Sequence, residues 1–160
     1  MSDDVLTNDS GHSLAKKRLS HDLKIFVLVQ VVGLCVYWLS VFLLAAQMIP
    51  NYPAWDQVYS LCLVLVTVGH IVFLGAAFFG GYKLVSTTFL SLPIRLYAGS
   101  VLGLPLFRPF VFIMTIRFFA TSTLAIVLCD LIFPFYCIIP QFFIARWLTK
   151  ETEDGTMEPV

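Results

Sequence analysis

The chain has 160 residues, of which 59% are hydrophobic and 12% are charged, and its formal net charge is zero. Soluble domains average about 45–50% apolar and about 25% charged residues. The composition therefore predicts an integral membrane protein, with the lipid bilayer as its first partner. A neutral chain has no overall positive field, so no binding of nucleic acid is expected.

The first half of the chain predicts a polar tail and two transmembrane helices. Segment 1–23 has few large apolar residues and predicts a disordered tail. Uncharged apolar runs predict helices over 25–49 and 58–82. The second run contains small residues spaced four apart, which would let another helix approach closely: Ala76 with Gly80, and Ala77 with Gly81.

The stretch from Lys83 to Arg117 has two interpretations. It predicts either one transmembrane helix over about 84–107 or a broken, re-entrant element. Three prolines favour a break: Pro93, Pro105 and Pro109. We choose an irregular third span, in which Gly99 and Gly103 form a GxxxG pattern that is a further candidate for helix packing.

Three arginines in or beside this third span are candidates for contact with anionic lipid. A guanidinium can hold a phosphate with two hydrogen bonds. The simpler alternative is that these side chains reach from the helix ends towards water. The arginines are Arg95, Arg108 and Arg117.

The last apolar run predicts a helix over 119–147 that contains the buried carboxylate of Asp130. An acid this deep needs a partner or a wet cavity. His70 is 12 residues into the second span and Asp130 is 11 residues into the last, so both would lie about 17 Å from the same face of the membrane. A pair of Asp130 with His70 would serve as a structural lock or as a proton-relay site. Arg108 and Arg117 are the alternative partners for Asp130.

Basic residues near the span ends predict the orientation, because they concentrate on the cytosolic side. Four precede the first span, and the first loop has none: Lys16, Lys17, Arg18 and Lys24. We therefore expect an all-α bundle of four transmembrane helices with short loops, two cytosolic tails, and a disordered C-terminal tail over 149–160. The runner-up is a three-span protein with an external C-terminus, since Arg108 and Arg117 argue for the opposite orientation. The membrane would be the plasma membrane or an endomembrane.

The sequence contains no motif for catalysis or metal binding. The four cysteines lie in apolar runs, without a CxxC pattern or a Cys/His cluster. We expect no enzyme activity, no cofactor and no metal. The C-terminal residues are a possible ligand for a PDZ-type domain, although an unbound tail is the commoner case: Glu158, Pro159 and Val160.

Two function classes fit these features. The first is a non-enzymatic tetraspan adaptor or accessory subunit in membrane organisation or trafficking, which associates with other membrane proteins or with itself through small-residue helix faces. Its layout, though no residue motif, is similar to that of tetraspan trafficking proteins of the MARVEL type. The alternative is a small transport or channel-like subunit with a polar path through Asp130 and His70.

Overall fold

A computed structural model describes residues 3–47, 56–103 and 123–154, and within these ranges the chain is helical except for a turn at 87–91. The helices are α1 (Asp3–Gln47), α2 (Asp56–Ser86), α3 (92–103) and α4 (Thr123–Asp154). Within these ranges, three segments are long and apolar enough to cross a membrane: Ser13–Ala46, Val58–Ser86 and Leu131–Thr152. Only 22%, 28% and 28% of their most apolar windows are buried, so apolar side chains cover much of the outer surface, as expected for helices in lipid.

Two ion pairs define the directions of the long helices. Lys83 Nζ lies 3.2 Å from Asp22 Oδ2, and Lys16 Nζ lies 3.1 Å from Glu151 Oε1. The first part of α1 therefore meets the C-terminal ends of both α2 and α4. Consequently α2 and α4 run in the same direction and α1 runs in the opposite one. We call this end of the bundle the basic end.

The described parts of both predicted tails are helical, since α1 begins at Asp3 and α4 continues to Asp154. Residues 1–2 and 155–160 of these tails lie outside the described residues. The physical reason is that the two segments pack against each other. Leu19 and Leu23 are buried within the predicted N-terminal tail. The Ser20 hydroxyl donates to the carbonyl of Ala145 at 2.9 Å and lies 2.7 Å from the hydroxyl of Thr149.

The predicted third span, 84–107, also differs from the structure at its start. Helix α2 continues through Ser86, where the side chains of Ser86 and Thr87 both donate to the carbonyl of Lys83. After the turn, the Arg95 amide donates to the carbonyl of Ser91 at 3.2 Å, which is the first α-helical bond of α3. Pro93 fits here because the first turn of a helix needs no amide donor from it. Residues 104–107 lie outside the described residues.

Among the described residues the core has two layers, to which all four helices contribute. The layer at the basic end contains leucine and alanine side chains from α1, α2, α3 and α4, with those of Leu23, Leu84, Ala98 and Leu148 fully buried. The second layer lies further from the basic end and contains Phe73, Ala77, Val101 and Cys137. Helix α3 thus enters the bundle from the basic end and runs antiparallel to α4.

Candidate functional site

A fully buried polar contact joins two glutamines, on α1 and α4. Gln30 Nε2 donates to Gln141 Oε1 at 2.7 Å, and both side chains are fully buried. Gln141 Nε2 lies 3.5 Å from the carbonyl of Ala77 on α2. Gln30 Oε1 has no donor among the described residues. This contact fixes the position of α1 relative to α4. It supplies no acid or base, because amides do not titrate at physiological pH.

The sequence shows Gln30 as a polar interruption of the first span, but it does not show the pair. The sequence does indicate that the two glutamines have similar depths. Gln30 comes six residues after Lys24, and Gln141 comes five residues before Arg146. At about 1.5 Å per residue both glutamines lie roughly 8–9 Å below the last basic residue of their helix. Equal depth permits contact, but only the packing shows that the helices are neighbours.

Small residues make the helices approach closely at two positions. A methyl group at Gly80 would lie 2.6 Å from Gln141 Oε1, so the glycine leaves the space for the buried amide. A methyl group at Gly33 would lie 2.9 Å from the backbone oxygen of Gly69, and one at Gly69 would lie 2.8 Å from that of Gly33. Helices α1 and α2 therefore cross with their backbones in contact at Gly33 and Gly69, a pair that the sequence patterns did not single out.

The small-residue pairs predicted on α2 contact other helices of the same chain. Ala76 and Ala77 are buried, and Gly80 lies against α4. A methyl group at Gly81 would lie 3.3 Å from the carbonyl of Ala98 on α3. These four positions therefore face α3, α4 or the core of the same chain.

The GxxxG pattern on α3 has a different environment. Methyl groups at Gly99 and Gly103 would meet no described atom within 4 Å. Gly99 is exposed and Gly103 is half-buried. Leu92 and Leu96 are 67% and 66% exposed, and the spacing of four, three and four residues puts all four positions on one face of the helix. We call this set the α3 outer face.

A tyrosine on α3 contacts α4 where a proline interrupts the backbone ladder. The Tyr97 hydroxyl lies 3.1 Å from the carbonyl oxygen of Tyr136 and 3.0 Å from that of Cys137. Pro140 has no amide hydrogen, so the carbonyl of Tyr136 has no donor four residues ahead. The Tyr97 hydroxyl takes the place of that missing donor. Ser100 adds a hydrogen bond to the Tyr136 hydroxyl.

The backbone positions of His70 and Asp130 lie at the same level along the bundle. The rings of Phe73 and Phe133 are 6.0 Å apart, and each follows its polar residue by three positions on helices that run in the same direction. His70 is half-buried, with its ring centroid 5.6 Å from that of Tyr37. The side chain of Asp130 lies outside the described residues, so the pair remains a prediction.

The remaining predicted site residues divide into one that is described and several that are not. Arg95 is exposed in the first turn of α3. It lies towards the basic end, because Ala98, one turn later, packs against Gly81 near the end of α2. Arg108 and Arg117, with the C-terminal residues Glu158, Pro159 and Val160, lie outside the described residues. Within the described part of the chain, no group of three His, Cys, Asp or Glu residues is arranged to hold a metal ion.

Comparison of the chain with protein-family models, with curated proteins and with solved structures finds no match. The candidate site is therefore defined by its own geometry: a buried amide contact, close glycine crossings, a tyrosine at a proline, and the α3 outer face.

Proposed function

We propose that the protein is a four-span membrane adaptor or accessory subunit, which packs against a transmembrane helix of another membrane protein or of a second copy through the α3 outer face. One observation carries the proposal: Gly99 and Gly103 have no described atom within 4 Å of their missing side chains. Glycine costs about 1 kcal/mol relative to alanine inside a helix. Two glycines four residues apart offset that cost when another helix packs closely against them.

The directions of the helices support four crossings over three. Helices α2 and α4 run in the same direction, and both end at the basic end. Helix α4 therefore begins at the opposite end of the bundle. If α1, α2 and α4 each span the bilayer, the chain between Ser86 and Thr123 must return across it. Helix α3 starts this return, since its 12 residues rise about 18 Å from the basic end.

The basic end supports the proposed orientation with both tails in the cytosol. It collects basic residues from all four helices: Lys16, Lys17, Arg18, Lys24, Lys83, Arg95, Arg146 and Lys150. Lysine and arginine near the ends of membrane spans favour the cytosolic side. The start of α1 and the end of α4 both belong to this basic end.

Affinity purification of the full chain in mild detergent tests the adaptor function. We expect a stoichiometric partner or a dimer with the wild-type chain, and loss of most of it with Gly99→Leu or Gly103→Leu. Gly75→Leu on α2 is the matched control, because that position also has no described atom within 4 Å. The absence of any stoichiometric complex, or an equal loss with the control, would contradict the proposal.

The alternative function is a small transport subunit with a polar path through His70 and Asp130, which their equal level in the bundle favours. A carboxylate and an imidazole in contact at this depth could share a proton. If they interact, His70→Ala should destabilise the protein less in an Asp130→Asn background than in the wild type. Thermal melting of the four variants in detergent measures this coupling. Additive effects, together with no proton flux in proteoliposomes, would exclude the path.

A further inference from the structure

The cations of the basic end fall into two groups. Lys16 and Lys83 form ion pairs with Glu151 and Asp22. The others are exposed and have no ion pair within the described part of the chain: Lys17, Arg18, Lys24, Arg95, Arg146 and Lys150. The described layer from 16 to 24, with residues 83, 95 and 146 to 151, holds eight basic and two acidic residues and has a net charge of +6. These unpaired cations are available for an anionic ligand.

Four of them lie on the same side of the seam between α1 and α4. On α1, Ser20 marks the contact with α4, and at about 100° per residue Lys17 and Lys24 are rotated about 60° and 40° from it. Phe26 is rotated about 120° in the opposite sense, towards its ring contact with Phe79 on α2. Lys17 and Lys24 therefore face away from α2.

Helix α4 presents its cations to the same side. Relative to Ala145, which accepts the Ser20 hydrogen bond, Arg146 and Lys150 are rotated about 100° and 140°. Phe133, which contacts Phe73 of α2, is rotated about 120° in the opposite sense. Because α1 and α4 are antiparallel, the same sense of rotation on each leads to the same side of the seam. Two cations from each helix thus converge there.

Apolar side chains continue this side of the seam away from the basic end. Leu28 follows Lys24 by one helical turn and is 63% exposed. Phe142 precedes Arg146 by one turn and is 48% exposed. The surface therefore changes from four cations to two apolar side chains within about 6 Å along the helix axis. A phospholipid with an anionic headgroup has this same division between charge and hydrocarbon.

We propose that the outer side of the α1–α4 seam binds one anionic phospholipid, with its phosphate among Lys17, Lys24, Arg146 and Lys150, and an acyl chain along Leu28 and Phe142. Arginine can hold the phosphate with two hydrogen bonds, and lysine adds point charges. The cytosolic leaflet, where we place the basic end, carries the anionic lipids of a cell. The site does not include the α3 outer face, but it rests on the proposed orientation of the basic end.

The chain contains a matched control for this site. Arg18 is exposed and adjacent to Lys17, but it is rotated a further 100° or so around α1, away from the seam. Arg95 is exposed on α3, which packs against α4 through Tyr97 and lies elsewhere in the bundle. The double variant Arg18→Gln with Arg95→Gln removes the same charge as Lys24→Gln with Arg146→Gln, and does so at the same basic end of the bundle.

Native mass spectrometry of the full chain, titrated with phosphatidylserine or phosphatidylcholine, tests the proposal. For the wild type we expect one phosphatidylserine to bind much more tightly than any phosphatidylcholine. Each basic residue near an anionic lipid contributes roughly fivefold in affinity, so the seam double variant should bind about 30-fold more weakly. The affinity of the control double variant for phosphatidylserine should fall by less than about sixfold. Equal melting temperatures in phosphatidylcholine would verify that both variants fold.

Three results would overturn the site. Equal losses of phosphatidylserine affinity in the two double variants would show that the cations act through a diffuse electrostatic field and do not form a localised site. A wild type that does not prefer phosphatidylserine would show that no anionic headgroup is recognised. Glycerophosphoserine, which has the headgroup without acyl chains, should bind far more weakly than the lipid. Equal affinity would show a soluble anion site and no role for Leu28 and Phe142.

Discussion

Individual glycines set how closely α1 and α2 approach each other. At the crossing of Gly33 and Gly69, the atoms that a new methyl group would meet are backbone atoms, which cannot rotate away as a side chain can. At Gly80 the obstructing atom belongs to the Gln141 amide, which is fully buried and hydrogen-bonded to Gln30. Each of these glycines is therefore required by a specific contact.

We predict that Gly33→Ala destabilises the bundle and that Gly75→Ala does not. A methyl group at Gly33 would lie 2.9 Å from two backbone atoms of α2, so the helices must move apart, at a cost of about 1–3 kcal/mol. The better helix propensity of alanine returns at most about 1 kcal/mol. At Gly75 no described atom lies within 4 Å, and only the propensity gain remains. Thermal melting in detergent compares the two variants, and a Gly33→Ala protein as stable as Gly75→Ala would contradict the close crossing.

Helix α4 is continuous despite two internal prolines, and α3 compensates for one of them. Pro140 leaves the carbonyl of Tyr136 without its usual amide donor, and the Tyr97 hydroxyl lies 3.1 Å from that oxygen. In a membrane, an unpaired backbone group is unfavourable, because lipid offers it no hydrogen-bond partner. The contact therefore joins α3 to α4 at a fixed level.

We predict that Tyr97→Phe destabilises the wild-type protein by about 1 kcal/mol, which is the usual range for a hydrogen bond between membrane helices. The loss should be smaller in a Pro140→Ala background, because alanine restores an amide donor to the carbonyl of Tyr136. A double-mutant cycle followed by unfolding in detergent measures the coupling. Purely additive effects would show that the tyrosine does not substitute for the missing donor.

At the scale of elements, apolar runs predicted the helices but not all of their ends. The predicted span 25–49 falls on α1 as far as Gln47, the last described residue of that helix, and the predicted span 58–82 falls on α2. Both helices are longer than the predicted spans. Helix α1 extends back to Asp3 because the polar stretch around Leu19, Ser20 and Leu23 packs on α4. The average polarity of a segment does not predict such packing, since only one residue in three or four along a helix faces the core.

At the scale of the whole molecule, the arrangement of the helices depends on contacts that no local pattern contains. The ion pairs Lys16–Glu151 and Lys83–Asp22 join residues that are far apart in the chain. The same is true of Gln30 with Gln141. The sequence could therefore predict that His70 and Asp130 have similar depths, but it could not predict which helices are neighbours.

The common direction of α2 and α4 gives the bundle its proposed topology, with four crossings and both tails in the cytosol. It brings the start of α1 and the end of α4 to one basic end. The proposed orientation places that end on the cytosolic side, because lysine and arginine concentrate there. The α3 outer face and the lipid site both presuppose this arrangement, because α3 enters from that end and the cations of the seam belong to it.

Protease protection of tagged termini in sealed, cytosol-inside vesicles measures this topology directly. We predict that tags on the N-terminus and on the C-terminus are both protected from added protease and that both are cleaved once detergent opens the vesicles. A tag in the loop between α1 and α2 should be cleaved without detergent, which controls for access of the protease. Cleavage of the C-terminal tag in sealed vesicles, with the N-terminal tag still protected, would contradict four crossings and support three.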